Sequence, residues 1–494
     1  MSETTRRRNM RHRFEQQTRL GVKLISETPL PKKSRDDTPA LFKALLKIYE
    51  TPSYSNRIFD ILEKRIFGNK EKTGRFGLNL WQIFVLAEVK LALKLDYDRL
   101  SYMVYSDSVL RQLLGIETET GFERIEIKYQ RIVDNVHLLD DDVLKELNVV
   151  IVEMGHEVFK KKETEALCVK TDSFVVETDV HFPTDYNLLW DSLRKTLDIV
   201  KWFVKEYPHI SGWRKINVWS RLLKNLSRTI GQISGQGGKN KEERLKKAVE
   251  KYLKKAKDLR SKVMASKDSF PTGDLKSLSQ LTELERFILL ANKHIDLLER
   301  RIIKGEKIPH SEKMFSIFEQ HTEWIRKGKK RPSVELGKMV SITTDQWGLI
   351  IDHYVMEKET DSQIVKSTVD RVLLRYNIYS WSFDRGYWHK ENKEYVEEKI
   401  PLLVMPKKGK PNKEEREQEQ KEAFKKYKNK HSAVESNINE LEHKGLDKCR
   451  DKGEFGFRRY VAVAVCAYNL HKIGKEILKQ ERNAEIKNRR KKRA

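Results

Sequence analysis

The sequence predicts a mixed chain, α+β/α/β in class: a helical amino-terminal region, then a mixed β-sheet core interrupted after its first strand by a large all-helical insertion. Three observations predict it. Residues 40–160 carry only short amphipathic helical patterns, "ALCVKTDSFVVETDV" changes abruptly to β-branched near-alternation, and from "GKMVSITTDQWGLIIDHYVMEKETD" onward strand and helix signals alternate to about residue 475.

Residues 1–35 form a basic arm that includes Arg6, Arg7 and Arg8, has little to bury, and is expected to order only on a partner. Residues 36–160 read as a helical DNA-binding domain. "TPALFKALLKIYE" and "LNLWQIFVLAEVKLALKL" are amphipathic, Asp96 and Ser106 or Asp107 stand as caps, and "LDYDRLSYMVYSDSVLRQLLGI" has a helix–turn–helix pattern that a plain packing module would share. After the first strand, "FPTDY" breaks the pattern, and "NLLWDSLRKTLDIVKWFVKEY" opens the helical insertion over 186–330. Within it Leu245, Val249, Tyr252, Ala256, Leu259 and Val263 recur at alternating spacings of four and three, a heptad seam under a lysine-rich exterior. The expected partner in an antiparallel hairpin is "LSQLTELERFILLANKHIDLLERRI". "GQISGQGGKNK" reads as a tip between two helices, because Ile233 and Asn240 occupy the places where a phosphate loop needs Gly and Ser or Thr.

The strand signal then returns as a hairpin turning at Asp345, Gln346, Trp347 and Gly348. A helix capped near Asp361 follows, then the strand "NIYSWSF", a turn at Asp384-Arg385-Gly386, the helix "KENKEYVEEKI" and the strand "PLLVMP". A long charged helix from about Asn412 to Glu442 and the apolar helix around "YVAVAVCAYNL" come last, before a basic tail over 476–494. The sheet domain is therefore expected over 161–185 and 331–475.

Ninety-nine Lys and Arg against 73 Asp and Glu leave a formal net charge of +26, which points to a polyanionic partner, nucleic acid before a membrane surface. The three cysteines lack C-x-x-C spacing, so neither a zinc site nor a disulfide framework is indicated. No apolar run reaches the ~18 residues of a membrane span, and the basic amino terminus has no apolar stretch behind it; a cytoplasmic protein is expected.

Three acids occupy telling places: Asp172 within the first strand, Asp384 at the end of "NIYSWSF", and Glu435 on the charged helix. Carboxylates from a strand, its neighbour's end and a crossing helix can converge on two Mg2+ ions, about 3.5 to 4 Å apart, that activate a water or a 3′-hydroxyl for in-line attack on a phosphodiester.

"DSFVVETDVHFPTD", "SFDRGYW" and "AVESNINELEHKGLDKCRDKGEFGFRRYVAVAVCAYNLHKIG" resemble the three acid-bearing motifs of DDE-type transposases of bacterial insertion sequences, the last being the long and specific one. The resemblance implies a ribonuclease-H-like fold. It implies Asp172, Asp384 and Glu435 as catalytic and metal-binding acids, and two Mg2+ ions for which Mn2+ substitutes. It further implies cleavage at the inverted-repeat ends of the element, joining of the 3′-ends to target double-stranded DNA, and a homodimer or higher oligomer on DNA in a bacterial, nucleoid-associated setting. Relatives carry a tyrosine and a basic residue before the glutamate and a lysine after it. Here Tyr427, Lys428 and His431 precede Glu435, Glu442 stands where the lysine is expected, and Lys444 is nearby; which of them grips the terminal phosphate stays open. Arg385, Trp388 and the arginines of the arm complete the expected DNA contacts, with Tyr387, Trp388 and His389 able to stack on a flipped base or to form a small core cluster.

Taken singly, each acid has an ordinary reading. Asp384 before Gly386 suits a turn, Glu435 a solvated helix face, and Asp185 the first turn of a helix; Glu177 and Asp179 have the opposite strand parity from Asp172. Asp345 and Asp352 read as turn and surface residues. Two other functions compete with transposition: a catalytically silent DNA-binding or architectural protein on the same scaffold, and a nuclease without strand transfer.

Overall fold

The computed structural model of the chain describes residues 12–14, 19–68, 77–326 and 333–492. Arg6, Arg7 and Arg8 lie outside them. The chain divides into two compact units, one of residues 1–179 and 325–494, the other of residues 180–324.

The first unit opens on seven helices: α1 (Thr38–Glu50), α2 (Pro52–Ile66), α3 (Leu80–Ala92), α4 (Tyr97–Ser106), α5 (Ser108–Leu113), α6 (Tyr129–Val136) and α7 (Asp141–Val158). Asp96 and Asp107 cap α4 and α5 through the amides of Arg99 and Leu110, as their positions predicted. The helix–turn–helix pattern corresponds to α4 and α5. α5 has six residues, of which Leu110, Arg111, Gln112 and Leu113 are buried. In the described part of the amino-terminal arm Val22 bridges to Thr118, and Arg13 pairs with Asp60 and Glu63.

The sheet is built on β1 (Leu167–Thr178), the strand predicted around Asp172. The second unit contributes α8 (Asp185–Glu206), α9 (Ile216–Gly235), α10 (Lys241–Ser266) and α11 (Leu275–Leu298) before the chain re-enters through β2 (Glu323–Arg326). Then follow β3 (Val334–Thr344), β4 (Ile350–Val355), α12 (Asp361–Leu373), β5 (Ile378–Phe383), α13 (Lys390–Glu397), β6 (Leu402–Val404), α14 (Lys413–Gln420), α15 (Glu422–Leu441), β7 (Lys448–Cys449) and α16 (Gly453–Lys491). β1 is antiparallel to β3, which is antiparallel to β4; on its other side it is parallel to β5, and β5 is parallel to β6. β2 joins the outer side of β3, and β7 pairs with the end of β1.

Alternation along β1 divides its side chains between two cores. Leu167 and Val169 join the α12 and α13 side, whereas Phe174 and Val176 join a core with α7 and α16. That second core also holds α1 to α3, so the amino-terminal helices and the sheet share one apolar interior rather than forming separate modules. The cause is α16. Its stretch from Tyr460 to Leu470 is buried on every side and packs against α1, α3, α7 and β4 together.

Two expected helices differ in detail. The charged helix breaks at Lys421, whose extended backbone separates α14 from α15. The tail beyond residue 475 continues α16, where Glu481 pairs with Lys43 at 2.7 Å.

In the second unit the seam on α10 is buried from Val249 to Val263, but its main partner is α9, while α11 packs on α8. "GQISGQGGKNK" carries the end of α9, the turn and the start of α10, the tip that its glycines predicted. Among the described residues no helix is long and apolar enough to cross a membrane.

Candidate active site

The pairing of β1 with β5 sets Thr171 opposite Phe383, so the next residues along the two parallel strands, Asp172 and Asp384, are neighbours at one end of β5. Asp384 begins the turn as predicted, its carboxylate accepting the amide hydrogen of Gly386. Asp172 is even-numbered on β1, as are Cys168 and Lys170, and this side of the sheet is crossed by α15, the helix of Glu435. His431, one turn before Glu435, lies with Nδ1 3.0 Å from the Ser382 hydroxyl, which ties α15 to β5 beside the site. The three predicted acids thus come from a strand, the turn after its parallel neighbour and a helix that crosses this side of the sheet.

Their proximity is visible in the charge of Asp172. Burial, and after it the negative charges of Asp384, Asp361 and Glu435, push its carboxyl up to about 7, against the pull of the Ser173 amide bonded to it at 2.7 Å.

Asp361 belongs to this group, and sequence reading took it only for a helix start. It is the first residue of α12, on the opposite side of β1, where it accepts a 2.6 Å hydrogen bond from the Ser173 hydroxyl. Burial and the charge of Asp384 raise its pKa too. A side chain begun at Gly386 would meet Asp361 Oδ2 and Asp384 Oδ1, each at 3.0 Å, so a larger residue there would make these carboxylates shift. The local signal around Asp361 was a capping box, Thr360 with Gln363, and nothing in "ETDSQ" distinguishes a cap from a site residue.

Among the described residues no three His, Cys, Asp or Glu side chains close into a ready metal-ligating cluster.

Beside the acids, toward the start of β1, opens a cavity of about 860 Å³ whose lining includes Cys168, Lys170, Ser382, Tyr427, Lys430 and Ser436. Lys170 is buried there and donates to the Asp345 carbonyl at 3.0 Å. Tyr427 approaches the Cys168 thiol at 3.6 Å, so of the residues predicted ahead of Glu435 it is the one that lines this cavity.

Other predicted contacts are distributed differently. Lys428 is partly exposed on α15, and Arg385 is exposed directly after Asp384. Lys444 is held by Asp37 at 2.8 Å, an attachment between the turn after α15 and the start of α1. Tyr387 takes the core alternative: it is buried against Phe383, with ring centres 5.3 Å apart. Trp388 is half-buried with the Lys407 ammonium over its ring at 5.4 Å, and His389 is exposed. Asp345 is a turn residue, accepting the amides of Trp347 and Leu349, but it is buried and paired with His156 at 2.8 Å; Asp352 is likewise buried, against Arg371.

No family model, no curated protein and no solved structure matches the chain.

Proposed function

We propose that the chain is a Mg2+-dependent DNA transposase of the Asp-Asp-Glu type with a ribonuclease-H-like core. The observation that carries this reading is the approach of Asp384 and Glu435 to the half-buried Asp172 carboxyl at the β1–β5 junction, whose ionisation they oppose. The strand arrangement supports it: a central β1 with antiparallel β3 and β4 on one side and parallel β5 and β6 on the other is what a ribonuclease-H-like sheet requires.

The residues fit a divalent cation on the same observation. The half-buried Asp172 carboxyl, pushed up to about 7 first by burial and then by the charges of Asp384, Asp361 and Glu435, lacks the counter-charge that a dication provides. Asp172, Asp384 and Glu435 would hold Mg2+, or Mn2+ in its place, and the bound metal supplies activation of the attacking oxygen and stabilisation of the leaving one. The chain's own groups do the positioning. Ser382 and His431 fix α15 so that Glu435 approaches β1, while Lys170 and Lys430 give the adjoining cavity the positive charge that suits a DNA strand's phosphates. Binding of inverted-repeat ends, joining of freed 3′-ends to target DNA, action as a dimer or larger assembly on DNA, and a bacterial cytoplasmic setting are parts of the same proposal.

Asp172→Ala, Asp384→Ala and Glu435→Ala are each expected to abolish cleavage of a duplex carrying the inverted repeats that flank the gene, with duplex affinity unchanged; chelation of metal from the wild type should do the same. Full cleavage by any one variant sinks the assignment. Absence of cleavage by the wild type with Mg2+ or Mn2+ favours a DNA-binding protein without catalysis, and cleavage without joined products a nuclease.

A further inference from the structure

Between Glu206 and Glu242 the chain has no acidic residue, although 73 of its 494 residues are Asp or Glu. Most of that stretch is α9. Its inner side is set by Ile216, Leu223, Ser227 and Ile230, buried in the core of the second unit. On the opposite side Asn217, Arg221, Lys224, Asn225, Arg228 and Gln232 follow one another at helical spacing, all exposed. This face carries cations and amides and no acid, with the exposed Val218 and Leu222 along one flank.

Among the described residues Arg221, Lys224 and Arg228 take part in no ion pair or hydrogen bond. The exterior of α10 differs in carrying acids among its lysines, Glu242, Glu243, Glu250 and Asp258, and although Lys246, Lys251 and Lys254 are as unpaired as the α9 cations, others are not. There Lys247, Lys255 and Lys257 are engaged with Glu243, Asp258 and Glu299 at 2.6, 2.9 and 2.7 Å. Like charges three and four residues apart on a helix oppose the fold by a few tenths of a kcal/mol, so the α9 arrangement contributes nothing to the unit that contains it. An external anion removes that cost.

The chemistry of the face selects the anion. From Asn217 to Gln232 the helix extends about 22 Å, enough to cross a major groove roughly 12 Å wide with cations on both banks. Amide side chains between the cations offer paired donors and acceptors to base edges. The face has no aromatic residue on which unpaired bases could stack, and its centre lacks the apolar stripe by which a helix enters a membrane surface.

We propose that this face of α9 docks on double-stranded DNA, with Arg221, Lys224 and Arg228 on phosphates and Asn217, Asn225 and Gln232 over the groove. The inference rests on the DNA-binding part of the proposed function and not on its chemistry.

The test is fluorescence anisotropy of the full-length protein with a labelled duplex over a series of salt concentrations. Replacing Arg221, Lys224 and Arg228 together by Gln is expected to weaken binding by about tenfold or more near 100 mM salt and to reduce the salt-dependence slope by about 2 to 3. Circular dichroism should be unchanged, since all three side chains are exposed. Replacing Lys246, Lys251 and Lys254 on α10 by Gln removes the same charge and is expected to cost less; an equal loss assigns the effect to net charge and overturns the proposal. So does an unchanged slope in the α9 variant, or tighter binding of the wild type to single-stranded RNA or to anionic phospholipid vesicles. Asp172→Ala should keep the full slope, so failure of the catalytic reading and failure of this one give different results.

Discussion

At the scale of the residue, the acids around β1 have separate fates that follow from parity and position. Asp185 opens α8 after the Thr184 cap and pairs with Arg301 at 2.9 Å, and Asp179 pairs with Lys448 at 2.7 Å. Asp172 is the one whose neighbours are other carboxylates. In the metal-free protein its side-chain carbon, followed by NMR, is expected to titrate near 7, and in Asp361→Asn to move down toward the ordinary carboxylate range, because a like charge is removed. An unmoved titration would show that Asp361 does not reach Asp172. His294 gives a stability prediction. It is fully buried in the second unit, neither ring nitrogen has a hydrogen-bond partner, and burial lowers its pKa to about 4. The unfolded chain binds a proton near 6.5 and the folded one does not until about 4. Stability is therefore complete above 6.5 and falls as the pH drops through that window, by roughly 3 kcal/mol in total. His294→Leu should flatten the decline in denaturant unfolding between pH 7 and 5; an unaltered slope would refute the assignment.

At the scale of the element, periodicity reveals which face is buried and leaves open what covers it. The α10 seam was legible as a seam, yet its partner is α9, because the tip after Gly235 returns the chain directly along its predecessor. The break at Lys421 was illegible, since the charged sequence on both sides of it favours helix equally. Gly474 illustrates a contact that no local pattern announces. A Cβ there would lie 1.7 Å from the Ala40 carbonyl oxygen, so glycine is what lets α16 close on α1. Gly474→Val is expected to destabilise the first unit by about 3 kcal/mol, read as a lowered thermal midpoint. An unchanged midpoint would mean the two helices do not meet so closely in solution.

At the scale of the whole molecule, the insertion has its own interior. The core of α8 to α11 shares no residue with the two cores of the sheet unit. Replacing residues 182–322 by a short Gly/Ser linker is accordingly expected to leave the first unit folded, with a cooperative thermal transition by circular dichroism; loss of that transition would show that the insertion is needed for the fold. The amino-terminal helices are the opposite case. They cannot be removed without exposing the apolar face of α16, whose burial they complete.

The sequence by itself determined most of the elements, though neither β2 within the stretch read as helical nor β7 nor the break at Lys421. It also determined the place of the insertion and the order Asp172, Asp384, Glu435 on strand, strand end and helix. These follow from local periodicity, caps and turns, which act over a few residues. Only the tertiary structure decided that α16 joins the amino-terminal helices to the sheet, that Lys444 serves Asp37, and that Asp361 arrives beside the catalytic candidates from the other side of β1. Those outcomes depend on contacts between residues distant in the chain, where geometry and mutual burial, rather than any neighbouring residue, select the partner.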